Sequence, residues 1–206
     1  MKKIKINCAI IILVASNAFA TSMEILLDSR DGQKYKTVTI GSQIWMAENL
    51  NYKVPNSFCY GNRKDNCQKY GRLYKWKSAI DVCPAGWHLP SKNEYESLAD
   101  AVGGLSIAGK KLKSAKGWLS YEGKDGNGSD SYGFSVKSAG FWGDYGTHYY
   151  GEGDFANYWS STENGEYNAY RFVFDAKKDD VSLSSADNTL GHSVRCVKDD
   201  SNLSKE

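Results

Sequence analysis

At 206 residues, with 26 Lys and Arg against 24 Asp and Glu, the chain is near neutral and long enough for one domain with a proper core. That balance supplies no bulk charge for holding nucleic acid or an anionic membrane. Only three prolines accompany 20 glycines, 14 tyrosines and six tryptophans, so tight turns and large flat rings are expected.

The N-terminus reads as an export signal. Lys2, Lys3 and Lys5 form a positive start, Ala9 to Ala15 an apolar run, and Ala18-Phe19-Ala20 a small-x-small cleavage site. The mature chain is expected to begin at Thr21. The apolar run is too short to span a bilayer, which takes ~20 apolar residues. Cys8 precedes that run, whereas a lipidated cysteine follows it. Cleavage removes three of the 26 basic residues and no acid, leaving 23 basic against 24 acidic. No later stretch is apolar enough to span a membrane. The expected location is therefore secreted or in the cell envelope.

Residues 21–30 read as a lead-in. Lys34 to Ile40 alternates in strand fashion, Gly41-Ser42 suits a two-residue turn, and Gln43 to Met46 returns. Asn51 to Tyr70 is polar and reads as a loop. Leu73 to Asp81 places Leu73, Trp76 and Ile80 on one helical face. Ser91 and Glu94 have capping-box spacing, and Tyr95, Leu98, Ala99 and Val102 then repeat at helical intervals up to Gly103-Gly104. Residues 105–157 are rich in glycine and aromatics. They hold a short helical piece at Ala108 to Ser114 and a strand at Gly133 to Val136. Four strand-like runs follow: Asn157 to Thr162, Ala169 to Asp175, Asp179 to Ser184 and His192 to Lys198. In the second, Tyr170, Phe172 and Phe174 alternate with Arg171, Val173 and Asp175, an aromatic sheet face. Residues 199–206 read as a polar tail. Helices early and an antiparallel meander late argue for an α+β fold.

Cys59, Cys67, Cys83 and Cys196 remain after cleavage, an even count that suggests two disulfides. Three connectivities are open. The favoured one joins Cys59 to Cys67 across a short polar loop and Cys83 to Cys196 across most of the chain. No Cys-x-x-Cys pair and no histidine at ligand spacing argues for a metal.

Several ordered pieces carry a family resemblance. They are Asp31-Gly32-Gln33-x-Tyr35, Gln43-Ile44-Trp45-Met46-Ala47-Glu48-Asn49-Leu50 and Gly71-Arg72-Leu73-Tyr74. Further along stand Cys83-Pro84-x-Gly86-Trp87-His88-Leu89-Pro90, Tyr158-Trp159-Ser160-Ser161-Thr162-Glu163 and Ser193-Val194-Arg195-Cys196-Val197-Lys198. Over residues 31–198 the chain resembles the Fibrobacter succinogenes major paralogous domain family. That resemblance implies a C-type-lectin-like fold, shared with formylglycine-generating enzymes, with two early helices, long glycine- and aromatic-rich loops and a late antiparallel sheet. It also implies a surface or secreted protein of a fold used for ligand display, but assigns no biochemical role.

The residues themselves favour binding over catalysis. His88, His148 and His192 are the only histidines, and no nucleophile elbow, zinc-protease or phosphate-loop motif is present. No catalytic residue and no cofactor are assigned. The related generating enzymes use paired reactive cysteines, whereas these read as structural. Asp125 to Asp130 has alternating oxygen ligands, but glycine and glutamate are missing at the sixth and twelfth positions of an EF-hand loop, so it reads as an Asx-rich turn. The calcium-lectin motifs are absent too.

The ring cluster from Phe141 to Glu152 is the better candidate. Trp142, Asp144, Tyr145, Tyr149, Tyr150 and Glu152, with Trp118 upstream, could stack on sugar faces while their carboxylates accept from hydroxyls. The competing reading makes the rings loop core, and their exposure decides between the two. The expected partner is a polysaccharide or an envelope protein. The expected function is a secreted or surface binding module; a structural or interaction protein of the envelope is the alternative, and an enzyme with His88 or His192 beside an acid is the third reading.

Overall fold

The computed structural model describes residues 23–143 and 148–200. The signal segment, Asp144, Tyr145 and residues 201–206 of the tail lie outside the described residues.

The lead-in is itself a strand, β1 (Met23–Leu27), antiparallel to β2 (Lys34–Ile40), which pairs with β3 (Gln43–Met46). The β2–β3 turn falls on Gly41-Ser42 as expected. Residues 51–70 are not all loop: they hold β4 (Ser57–Phe58), a 3-10 turn at Tyr60–Asn62 and helix α1 (Lys64–Tyr70). The buried residues of α1 are Asn66, Cys67 and Tyr70, so no apolar stripe announces it. It is held by the Cys59–Cys67 disulfide and by the Asn66 amide, which donates to the Tyr60 carbonyl at 2.9 Å.

The helix expected over residues 73–81 is instead β5 (Leu73–Lys75) followed by the single turn α2 (Trp76–Ala79). Leu73 and Tyr74 are taken by sheet partners, β4 and the distant Gly191–Ser193. β6 (Trp87–His88) leads into α3 (Lys92–Ala101), where both halves of the Ser91–Glu94 capping box form. α4 (Leu105–Leu112) starts earlier than the sequence suggests, with Gly104 as its N-cap. No strand forms at residues 133–136; Val136 makes one bridge to Lys113. A hairpin of β7 (Ala139–Gly143) and β8 (His148–Glu152) then precedes the meander β9 (Phe155–Glu163), β10 (Asn168–Asp175) and β11 (Val181–Asp187). The last expected strand divides into β12 (Gly191–Ser193) and β13 (Val197–Lys198), which join different sheets.

Strand outweighs helix in this mixed architecture. One sheet has the order β1-β2-β3-β13-β6, and β13 brings the last strand beside the first three. The other runs β11-β10-β9-β7-β12-β5-β4, with β8 on β7. The meander is antiparallel, but β9 meets β7 and β12 in parallel, so the late sheet is mixed. β9 lies between two cores. Tyr158 faces a core with Trp45, Tyr95, Phe134 and Phe172, and Trp159 faces a second with Tyr74, Trp76, Leu89 and Val194. Its central residues, 156–160, are all buried, the pattern of a strand covered on both sides. On β10, Phe172 and Phe174 are buried and Tyr170 is half-buried, so the aromatic face is only partly covered. Cys83 bonds Cys196. On the chain-entropy account the short and long disulfide loops contribute at most about 2.5 and about 4.8 kcal/mol.

Candidate functional site

The β7–β8 hairpin carries rings on both faces. Phe141 pairs across the strands with Tyr150, and their rings stack at 5.5 Å. Trp142 pairs with Tyr149. Trp142 is only 7% exposed because Phe58 stacks on it at 4.2 Å and the Lys75 ammonium sits 5.1 Å from its ring. Tyr149 is half-buried against Tyr60 and donates to Asn62 Oδ1 at 2.7 Å. Tyr150 is 38% exposed, and the alternation along β8 also exposes His148 and Glu152. The hairpin depends on Gly140. At its positive φ, an added Cβ would lie 2.2 Å from the Tyr150 carbonyl oxygen.

These positions divide the expected ligand residues. Trp118 is a core residue: its indole nitrogen donates to Val136 O at 3.1 Å and Ser114 Oγ at 3.2 Å. Neither Trp118 nor Trp142 presents an open ring face, because each packs as part of the loop and sheet interior. Tyr150 and Glu152 remain exposed, while Tyr149 is half-buried.

Glu152 connects the hairpin to a groove that the sequence did not announce. It accepts a hydrogen bond from Tyr70 at 2.8 Å and sits 3.5 Å from the Lys69 ammonium. Tyr70 and Lys69 end α1, where Gly71 takes a positive φ of 74°. A Cβ on Gly71 would lie 2.7 Å from that of Asn49, so the close approach of this turn to the end of β3 requires glycine.

Three concavities lie in a row along this face. The first, about 380 Å³, is lined by Lys53, Lys64 and Arg72 with Asp31, Gln33, Asn51 and Gln68. The second, about 120 Å³, shares Gln33, Asn51 and Gln68 with it and adds Lys34, Lys69, Lys137 and Glu48. The third, about 310 Å³, shares Lys69, Tyr70 and Lys137 with the second and adds Lys116 and Ser138. Burial lowers the Lys137 ammonium from its ordinary range, with the nearby Arg195 cation adding to the effect; it donates to the Lys69 carbonyl at 2.8 Å. Asn51 Oδ1 and Arg72 Nε, in the wall of the first concavity, are buried without a hydrogen-bond partner.

A family model described as the Fibrobacter succinogenes major domain matches residues 38–198. The chain belongs to that family. No curated protein and no solved structure matches it.

Within the matched residues of this Fibrobacter major domain, Glu48, Asn49, Gly71 and Arg72 line the groove; residues 31–35, ahead of the match, complete that wall. Beneath it, Asn49 donates to Tyr70 O at 2.7 Å and accepts from Tyr158 at 2.9 Å and Arg195 Nε at 2.9 Å. Arg195 is fully buried. It also donates to the Phe134 and Ser135 carbonyls and stacks 4.4 Å from the Phe134 ring. This knot fixes the groove floor to the core.

Two histidines, His88 and His192, are held by neighbouring side chains. His88 stands between two acids, its Nε2 2.7 Å from Glu94 and its Nδ1 2.6 Å from Asp199. The Glu94 bond, against opposing burial and with help from Asp199, raises its pKa to about 9. It is therefore an imidazolium at neutral pH, with both nitrogens donating and neither able to act as a base. His192 is fully buried, 4.3 Å from the Trp159 ring. Burial, then the Arg171 charge, pushes it well below its ordinary value. Arg171 can only donate, so Nε2 accepts at 3.3 Å and the proton lies on Nδ1.

Among the described residues, no three His, Cys, Asp or Glu cluster in a way that could hold a metal ion. In the Asp125 to Asp130 turn, the oxygens are aimed at the protein itself. Asp125 accepts from the Asn127 amides, Asn127 Oδ1 from Trp118 N, and Asp130 from Ser135. No helix among the described residues is long and apolar enough to cross a membrane.

Proposed function

We propose that this domain is an exported binding module for carbohydrate, with its contact surface at the β7–β8 hairpin. The observation that carries this reading is the Phe141–Tyr150 ring pair, stacked at 5.5 Å with Tyr150 38% exposed on a strand that pairs only with β7 among the described residues. A rigid ring at such an edge suits the apolar face of a sugar, and the Glu152 carboxylate two residues on suits its hydroxyls. Export is supported by the signal pattern of residues 1–20 and by two disulfides, which persist in oxidising compartments. A C-type-lectin-like fold is supported by α3 and α4 ahead of a long irregular stretch, 113–138, and the β9–β11 meander.

Retention on insoluble polysaccharides together with a glycan array tests the reading. We expect retention of the mature protein, and at least ~10-fold weaker binding by Tyr150→Ala with unchanged thermal unfolding. No retention on any sugar, or full retention by the variant, refutes the hairpin site.

A second reading, an interaction protein of the cell envelope, is favoured by the β1 edge. Ile25 and Leu27 there are 61% and 57% exposed. Co-purification from envelope fractions that is lost in Ile25→Ser/Leu27→Ser would favour it.

A further inference from the structure

We infer that the groove along α1 binds an acidic polysaccharide, with sugar carboxylates held by its lysines and Arg72 and sugar hydroxyls by its side-chain amides. The inference rests on the carbohydrate reading above, but not on the hairpin being the contact.

The first argument is charge. The mature chain is balanced, yet the three joined concavities are lined by seven cationic side chains against two carboxylates. Both carboxylates are already engaged. Asp31 accepts from the Gln33 backbone and side-chain amides, and Glu48 accepts from the Lys36 backbone at 2.8 Å. Of the seven cations, only Lys69 has a carboxylate within 4 Å among the described residues. Such a predominantly cationic cleft in a neutral molecule concentrates anions.

The second argument is shape. The second concavity shares lining residues with the first and with the third, which share none with each other, an arrangement suited to an extended chain. The third is the polar chemistry between the charges. Gln33, Asn51 and Gln68 stand among the cations; Asn51 Nδ2 donates to Gln33 Oε1 at 3.1 Å, and the exposed Gln68 presents a planar amide of the kind that pairs with neighbouring hydroxyls. The groove's rings, Tyr35 and Tyr70, are 4% and 6% exposed. They leave no platform on which nucleic-acid bases would stack.

Solution affinity for polygalacturonate tests this, using the mature oxidised protein. The controls are fully methyl-esterified polygalacturonate, which keeps the sugar and removes the charge, and polyglutamate, which keeps the charge and removes the hydroxyls. We expect both controls to bind at least ~10-fold more weakly, and binding of polygalacturonate to weaken as salt is raised. Lys53→Glu/Lys64→Glu, at two exposed positions, is expected to lose at least ~10-fold on polygalacturonate with the same thermal midpoint. Equal affinity for the esterified polymer, or an unaffected variant, overturns the groove assignment while leaving carbohydrate binding standing. Equal binding of polyglutamate, DNA or anionic vesicles also overturns it, as capture of any polyanion. Failure to bind any sugar, charged or neutral, overturns both readings.

Discussion

Individual polar residues do much to define this structure. Arg195 is buried with no carboxylate within 4 Å among the described residues, and carbonyls, Asn49 and the rings of Phe134 and Tyr158 take its donors and its charge. His88 links the β6–β13 pair to the start of α3 through Asp199 and Glu94. Its folded pKa of about 9 lies above its ordinary value of 6.5. Its stabilisation is therefore full below pH 6.5 and is lost as pH rises through 9. The full shift corresponds to about 3 kcal/mol, but the ring is more than a third exposed, so solvent screening leaves about 1 kcal/mol. Denaturant unfolding on either side of that window is expected to show the loss in the wild type and not in His88→Gln. An unchanged pH dependence in the variant would refute the linkage. The Ser91–Glu94 cap is legible in the sequence, and with it the acid on one side of His88. Asp199, 111 residues away, was not, because strand pairing alone brings it there.

At the scale of elements, the legible pieces are those whose signals are local. The capping box of α3, the β2–β3 turn and the β9–β11 meander each carry their pattern within a few residues. The β7–β8 hairpin does not: its strands read as loop because glycines and rings lack simple alternation. Its geometry rests on Gly140, where any side chain meets the Tyr150 carbonyl. Gly140→Ala is expected to destabilise the domain by about 1–3 kcal/mol. Hydrogen exchange should be fastest to rise at amides 139–143 and 148–152. Protection there equal to the wild type would show that the hairpin tolerates the side chain. α1 was missed for a related reason. A helix of seven residues, held by a disulfide and buried through Asn66, Cys67 and Tyr70, has no apolar period to read.

For the whole molecule, the decisive link is between the first strands and the last. β13 pairs with β3, Met46 N donates to Cys196 O at 3.0 Å, and Cys83 is bonded to Cys196. This closure encloses both cores and sets Asn49 against Arg195. Cys83→Ser/Cys196→Ser is expected to lose up to about 4.8 kcal/mol of stability, the chain-entropy value for a loop of this length. Equal denaturation midpoints for that variant and the wild type would show that packing alone holds the closure. The groove is a product of the same closure: its walls come from residues 31–35, 48–53, 59–72, 114–117 and 137–138, which no sequence window joins.

The sequence by itself determined the family, the helix-and-sheet class and which residues are rings, cations and cysteines, because those are properties of local order and composition. It left three disulfide connectivities open, and the tertiary structure selected Cys59–Cys67 and Cys83–Cys196. Tertiary structure also decided that Trp118 and Trp142 are interior while Tyr150 is at the surface. The physical reason is the same throughout: burial and pairing depend on neighbours distant in the chain. A near-zero net charge likewise said nothing of where the lysines gather, and the fold gathers seven of the basic side chains along one groove.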